Sequence, residues 1–311
     1  MKDKNPKIIF FGSPEFALPT LKLLVQKKYN IALVITQADQ PIGRKQILTP
    51  TAVKILAKKL NLSVSCELNF EKIKKLKPDL GIVVAYGKFI PKEIMDLFTF
   101  GVLNLHPSAL PKYRGPSPIQ TAILNGDKKT AVTLIKLDQQ MDHGPIIGTK
   151  SVKIKENETA ETLHNKLAEL GAVLLLKILP DYLAGKIKTV PQKHQQASYT
   201  KLLARNDGKI QWQKKAEEIA YQLRAFYPWP GSFTEVNFKN LGTKRVKIIS
   251  GDVSPSLKGL VAGDFKIDKN NFLVQCGQNS LNIKKLQLAG KKEIIVAEFI
   301  RGYGKNIESL K

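Results

Sequence analysis

The sequence predicts an α/β chain in two parts, a mostly parallel sheet covered by helices and then a small antiparallel β domain. Three observations lead there. Over the first two-thirds, short uninterrupted apolar runs alternate with amphipathic stretches, as strands buried on both faces alternate with the helices that cover them. A polar, aperiodic segment from about Lys186 to Asn206 breaks that alternation. Beyond it, one amphipathic helix is followed by five short strand-like runs separated by turn residues.

In chain order, Ile8–Phe11 is wholly apolar, and Gly12-Ser13-Pro14 turns the chain into an amphipathic stretch through Leu24. Ile31–Thr36 is a second strand of the buried type, and Pro50–Leu60 carries apolar residues at helical spacing. Leu80–Ala85 and Val102–His106 are the third and fourth strands, and Thr130–Leu137 and Thr149–Lys155 add two more. Glu158–Leu179 reads as a long helix, with Asn157 as its cap, Glu158 and Glu161 in its first turn, and Leu163, Leu167, Leu170, Leu174 and Ile178 in one core-facing stripe. After the aperiodic segment, the helix Lys214–Phe226 precedes strands at Phe233–Phe238, Arg245–Ser250, Leu260–Phe265, Phe272–Gly277 and Ser280–Leu288. Five short strands of that kind suggest an OB-like barrel. The boundaries expected are a catalytic domain at 1–187, a linker at 188–206 and the β domain at 207–311.

Lysine and arginine outnumber aspartate and glutamate 50 to 26, a formal charge of +24. So large an excess favours a polyanionic partner, nucleic acid first among them. Residues 201–311 hold 20 basic and 10 acidic side chains, so the excess is spread along the body and not held in a tail. Cys66 and Cys276 are far apart and belong to no Cys-x-x-Cys pair, which argues against a disulfide framework or a thiolate metal cluster and for two buried, reduced thiols. No apolar stretch approaches the roughly 18 residues that span a bilayer. A soluble, cytoplasmic, monomeric protein without a membrane partner is expected.

Gly12-Ser13-Pro14-Glu15 lies where a strand feeds a helix, a place where backbone N–H groups can hold an anion or a carbonyl oxygen. Neither Gly-x-Gly-x-x-Gly nor Gly-x-x-x-x-Gly-Lys occurs, which excludes the usual dinucleotide and P-loop readings. The segment 101–115 is more informative. Asn104 and His106 are two apart on a strand and so share one face. Polar residues flanked by Leu103 and Leu105 on a buried strand need a reason, and these lie towards the carboxyl end, where open α/β sheets place ligands. Asp142 follows the strand 130–137 in a loop at the same sheet edge, from which a carboxylate can orient a histidine or hold it charged. His164 and His194 are expected at the surface. A two-histidine, one-carboxylate metal site from His106, His143 and Asp142 is disfavoured, because neighbours in sequence rarely face one ion; no metal is expected.

The patterns Asn104-x-His106-x-Ser108-x-Leu110-Pro111-x-x-Arg114-Gly115 and Met141-Asp142-x-Gly144 resemble the active-site pattern of the 10-formyltetrahydrofolate-dependent formyltransferases. The resemblance covers nearly the whole chain. It includes the opening loop Phe11–Ala17, the loop Gln37–Arg44 through Pro50, and Arg224–Gly231 and Leu286–Lys292 near the end. It implies a Rossmann-like catalytic domain, a linker and an OB-like domain. It also implies 10-formyltetrahydrofolate as formyl donor and the α-amine of an initiator methionyl-tRNA as acceptor, in translation initiation. By motif position, Asn104, His106 and Asp142 become the catalytic trio. Ser108, Ala109, Leu110 and Pro111 line the folate site, with Phe89 and Ile90 as further walls. Gly12, Ser13, Pro14, Arg44 and Lys45 become contacts to the methionyl end and the tRNA. Three departures stand out: Gly43-Arg-Lys-Gln-Ile47 where the family often has Gly-Arg-Gly-Lys-Lys, Ala109 in place of a usual leucine, and His143 where a small residue is commoner. Formyltransferases acting on glycinamide ribonucleotide or on sugar nucleotides share the trio, but neither explains the charge or the loop at 37–50. A non-catalytic RNA-binding protein has no need of the trio.

Overall fold

The computed structural model describes residues 5–43 and 45–310; Arg44 lies outside the described residues. The chain forms two compact units. One comprises Met1–Pro118, Lys129–Lys153 and His164–Lys201, and the other Ile119–Lys128, Ile154–Leu163 and Leu202–Lys311.

The first unit is built on a seven-stranded sheet in the order Val64–Ser65, Asn30–Ile35, Lys7–Gly12, Leu80–Val84, Val102–His106, Lys129–Lys136, Ile146–Lys153. The first five strands are parallel, Lys129–Lys136 runs against them, and Ile146–Lys153 runs against Lys129–Lys136. Ile8, Ile9, Phe10 and Phe11 are all fully buried, as expected of a central strand covered on both faces. From this strand the chain first extends the sheet on one side and then returns to pair Leu80–Val84 on the other. That switch opens a crevice at the carboxyl ends of the two central strands.

The long helix spans Ala160–Leu183. Its cap is Thr159 and not Asn157: Thr159 Oγ1 accepts from the Thr162 N–H at 3.2 Å, while Asn157 lies in the preceding turn. A two-stranded hairpin at Gln40–Ile42 and Ile47–Thr49, too short to show a period, joins the second strand to the helix Ala52–Lys59.

The second unit holds an antiparallel sheet in the order Phe265–Ile267, Phe272–Gln275, Ser280–Leu288, Gly242–Ser254, Ser232–Phe238, Ile307–Leu310. Register shifts near Ser250 bend its longest strand, so the sheet curls into a half-barrel of the OB-like kind. Trp212, Phe272, Phe299 and the helices Ala216–Ala225 and Val296–Tyr303 fill its concave side. The strand expected at Leu260–Phe265 is mostly turn, and only Phe265–Ile267 pairs. Gly263 takes φ +98°, and the Asp264 carboxylate accepts from the Val261 N–H at 2.9 Å, a side-chain turn that competes with a ladder. Cys276 is buried, its thiol pushed up to about 12 by desolvation, whereas Cys66 is only half-buried.

Phe272 is 2% exposed and stacks on Phe299 with ring centroids 6.3 Å apart. Phe272→Ala is expected to cost about 3–5 kcal/mol. Val261→Ala, at a side chain 70% exposed, should stay within about 0.5 kcal/mol. Chemical denaturation of the two variants beside the parent checks both.

Candidate active site

Three segments of the first unit converge at the carboxyl end of Val102–His106. Asn104 and His106 leave this strand on one face, while Leu103 and Leu105, 0% and 2% exposed, anchor the other. The strand pairs with Leu80–Val84 on one side and Lys129–Lys136 on the other, in a register that sets Asn104 opposite Ile135 and His106 opposite Thr133. Directly after Lys129–Lys136 the chain forms the loop that carries Asp142. That register sets Lys136 opposite Leu103, so the loop starts at the amino end of Val102–His106, not at the edge expected from the sequence. It folds back to bring Asp142 to Asn104 and His106, 38 and 36 positions before it.

The Asp142 carboxylate is the common partner. Its Oδ2 accepts from the Gly115 N–H at 2.8 Å and lies 3.4 Å from His106 Nδ1; its Oδ1 accepts from Asn104 Nδ2 at 3.3 Å. On its other side, His106 Nε2 meets the carbonyl of Tyr113 at 2.9 Å. Both ring nitrogens thus face acceptors, an arrangement that only the doubly protonated ring can satisfy in full. Among the described residues the second amide hydrogen of Asn104 has no partner and stays available to a ligand.

Asp142 itself adopts φ +50°, a left-handed conformation that costs a side-chain-bearing residue about 1–2 kcal/mol. Asp and Asn tolerate it best, and strain of this kind gathers at functional sites. The requirement two positions on is stricter. A Cβ on Gly144 would stand 1.8 Å from the carbonyl oxygen of Lys136. The Met-Asp-x-Gly pattern therefore encodes a loop pressed against the end of its own strand.

Residues 6–179 match the formyl transferase family, and residues 202–304 match the formyl transferase C-terminal domain. The chain belongs to the formyl transferase family. It is 35% identical over 308 residues to a methionyl-tRNA formyltransferase of Halalkalibacterium halodurans, covering 97% of this chain and 96% of that one. It is 38% identical over 305 residues to the methionyl-tRNA formyltransferase of Methylacidiphilum infernorum, covering 95% of each. Among solved structures, an N-formyltransferase of Helicobacter canadensis, in complex with folinic acid and dTDP-3-aminofucose, superposes with a TM-score of 0.66 at 22% identity, covering 89% of this chain and 99% of that one. The sugar 3N-formyl transferase WlaRD, in the presence of dTDP and 5-N-formyl-THF, gives 0.64 at 24% identity, covering 93% and 100%. At these identities the two structures speak for the fold alone.

The other positions singled out in this formyltransferase fall into two groups. Ser13 is a hub of the switch-point crevice: its Oγ donates to the Tyr86 carbonyl at 3.2 Å and accepts from the Gln37 N–H at 3.2 Å. Gly12 lets that turn close, since a Cβ there would fall 2.9 Å from Ala17 Cβ and 3.0 Å from the Val84 carbonyl. Ser108 is fully buried, and its hydroxyl is committed to the Lys112 carbonyl at 2.6 Å, so it shapes the 107–111 wall from inside. Ile90 packs into the core with Phe11 and Ile94, and Leu110 is also buried. Pro14, Lys45, Phe89 and Ala109 are exposed and Pro111 is half-buried, so these five reach the surface.

The 188–201 part of the expected linker is built into this unit. Ile146 and Val190 exchange both backbone hydrogen bonds at 2.8 Å, and the Arg114 N–H donates to the Ser198 carbonyl at 2.8 Å. Gln192 Nε2 donates to the carbonyls of Asp142 and Gly144, both at 2.8 Å. Sequence reasoning missed Gln192 and the role of Arg114, because a strap held by hydrogen bonds has no apolar period. His143 turns away from His106: its Nδ1 lies 2.6 Å from the Asp138 carboxylate. Among the described residues no group of three His, Cys, Asp or Glu side chains is placed to hold a metal ion.

Gly144→Ala is expected to destabilise the formyltransferase by about 3 kcal/mol, because a backbone carbonyl cannot move aside as a flexible side chain can. Thermal unfolding of this variant against Gly302→Ala, where a Cβ meets nothing within 4 Å and the backbone is not left-handed, isolates the clash from the cost of replacing glycine.

Proposed function

We propose that this formyltransferase transfers the formyl group of 10-formyltetrahydrofolate to the α-amine of initiator methionyl-tRNA, a step of translation initiation in the cytoplasm. The observation that carries the chemistry is the convergence of the Asn104 amide, the His106 ring and the Asp142 carboxylate at one strand end. The acceptor is supported by the names of relatives that share 35% and 38% of their residues over nearly the whole chain. The formal charge of +24 supports it as well.

The surroundings of the trio fit a folate. Phe89 stands 66% exposed just beyond the strand Leu80–Val84, with Ala109 also exposed and Pro111 partly so. These apolar surfaces, not covered by the chain itself, suit a flat heteroaromatic ring. Phe89, Ala109, Leu110 and Pro111 are assigned to hold it, with Ser108 and Ile90 supporting the wall from within. When bound, the folate supplies a formyl group already activated for transfer.

The chain's own residues do the rest. Asn104 offers its free amide hydrogen to the negative charge that develops on the carbonyl oxygen as the amine attacks. His106, held between the Tyr113 carbonyl and Asp142, adds positive charge beside it. Removing one such donor typically slows a reaction by about 10²–10³. Asp142 holds the ring in place, takes the proton that the attacking nitrogen sheds, directly or through a water, and returns it to the folate nitrogen as that nitrogen's bond to the formyl carbon breaks. The turn Gly12-Ser13-Pro14 and the basic loop with Arg44 and Lys45 are assigned to the methionyl acceptor end. The first unit, which takes in 188–201, is assigned the catalysis, and the second, with 202–311, is assigned the tRNA body.

The decisive assay mixes the purified protein with 10-formyltetrahydrofolate and charged initiator tRNA and looks for N-formylmethionine. Glycinamide ribonucleotide and a dTDP-amino sugar serve as competing acceptors, and preference for either of those would overturn the reading. In the same assay Asp142→Asn should lower kcat by about 10²-fold or more with folate affinity nearly unchanged; near-parental turnover would remove Asp142 from the mechanism.

Binding of the tRNA should weaken with salt, with a log–log slope of roughly −0.7 to −0.9 per phosphate neutralised. Filter binding from low to moderate salt measures it, and a flat response would count against a tRNA partner.

A further inference from the structure

Behind the Asp142 loop stands a chain of side chains that the proposed chemistry leaves unused. Gln192, which holds the carbonyls of Asp142 and Gly144, uses its Oε1 to accept from Arg114 Nη2 at 2.8 Å and Nε at 3.3 Å. Arg114 is 1% exposed. A buried guanidinium ordinarily faces a carboxylate. Among the described residues this one hydrogen-bonds only to neutral groups: Gln192, the Tyr199 hydroxyl at 3.2 Å, and His194 Nδ1 at 2.9 Å. Because a guanidinium has no acceptor, His194 Nδ1 must present its lone pair, and the ring must be neutral. The ring of His194 lies flat on that of His143, centroids 3.9 Å apart and planes within 4°. His143 in turn is paired with Asp138.

We propose that Arg114 and Gln192 are positioning residues for the Asp142 carboxylate, and that His194 is their latch. A proton on His194 Nδ1 removes the acceptor of Arg114 and sets a like charge against it, which frees Gln192 and slackens the Asp142 loop. Arg114 couples to the carboxylate twice, through Gln192 and through the backbone, since the next residue, Gly115, donates its N–H to Asp142 Oδ2. This rests on the role given to Asp142 above.

The titratable and charged groups facing His194 are His143 across the stack, Arg114 at its edge and Asp138 behind His143; Lys193 is exposed beside it on its own segment. Desolvation, then His143 and Arg114, lower the pKa of His194 from its ordinary value, and Asp138 opposes them. The sign follows: the latch is closed at neutral pH and opens only as pH falls through that lowered value.

Two variants test it. His194→Asn keeps an acceptor oxygen near the position of Nδ1 but cannot titrate; His194→Phe keeps a flat ring for the stack and offers no acceptor. Steady-state formylation of methionyl-tRNA is measured from pH 5.5 to 8. Deuterium exchange of the 113–117 backbone amides is followed over the same range, corrected for intrinsic rates. His194→Phe should lower kcat about tenfold at pH 7.5 with the folate KM within about twofold. The ratio of His194→Asn to parental kcat should rise about threefold or more between pH 7.5 and 5.5. Protection of 113–117 should fall with pH in the parent and hold in His194→Asn. Variants that track the parent at every pH, in both turnover and exchange, overturn the latch. A parent that formylates no tRNA defeats the functional reading instead, and the exchange data then decide the latch by themselves.

Discussion

The carboxylate of Asp142 is the constraint on which the rest of the site depends. An ionised carboxylate only accepts hydrogen bonds, and it has lone pairs enough for several donors at once. Here the donors come from three places: the Gly115 backbone, the Asn104 amide and the His106 ring. The price is a left-handed backbone at Asp142, which the loop sustains because Gly144 lies flat against the Lys136 carbonyl. With the carboxylate in place, His106 is fixed between two acceptors and Asn104 keeps one hydrogen free. Moved by an ångström, the same three residues would be separate polar groups at a sheet edge.

The sheet makes that convergence possible through a change of direction. Five parallel strands carry the switch-point crevice, where Ser13 ties together the segments at Gly12, Gln37 and Tyr86. Lys129–Lys136 runs back along Val102–His106 to its amino end, and the loop that follows folds over to carry Asp142 to Asn104 and His106. The strap 190–200 then ties the 111–117 segment to the 142–146 segment by backbone and side-chain hydrogen bonds. Among the described residues no helix is long and apolar enough to cross a membrane.

Fold alone does not choose the acceptor. A formyltransferase solved with dTDP-3-aminofucose and a sugar formyl transferase solved with dTDP share this architecture at TM-scores of 0.66 and 0.64, while the relatives with higher identity are named for methionyl-tRNA. An unchanged trio can serve any primary amine brought to it, so acceptor choice belongs to the surfaces around it. The excess positive charge, spread through both units, is the feature of this chain that a tRNA body answers better than a nucleotide sugar does.

Much of this was legible in the residues. Periodicity located the central strands and the long helix, and the two-residue spacing put Asn104 and His106 on one face. The same reading misjudged Leu260–Phe265, where an aspartate-capped glycine turn replaces the ladder. It also treated 188–206 as a connection, because hydrogen-bonded straps leave no hydrophobic signature. By itself the sequence determined which side chains are available, which strands are buried on both faces and the sign of the charge, since these depend on local pattern and composition. Only the tertiary structure decided that Asp142 meets Asn104 and His106, that Gly144 can be nothing larger, and that Arg114 is buried against Gln192 and His194. The Gly144 contact spans 8 positions and the others 36 to 80, all made by strand register or backbone approach, and no local pattern records either.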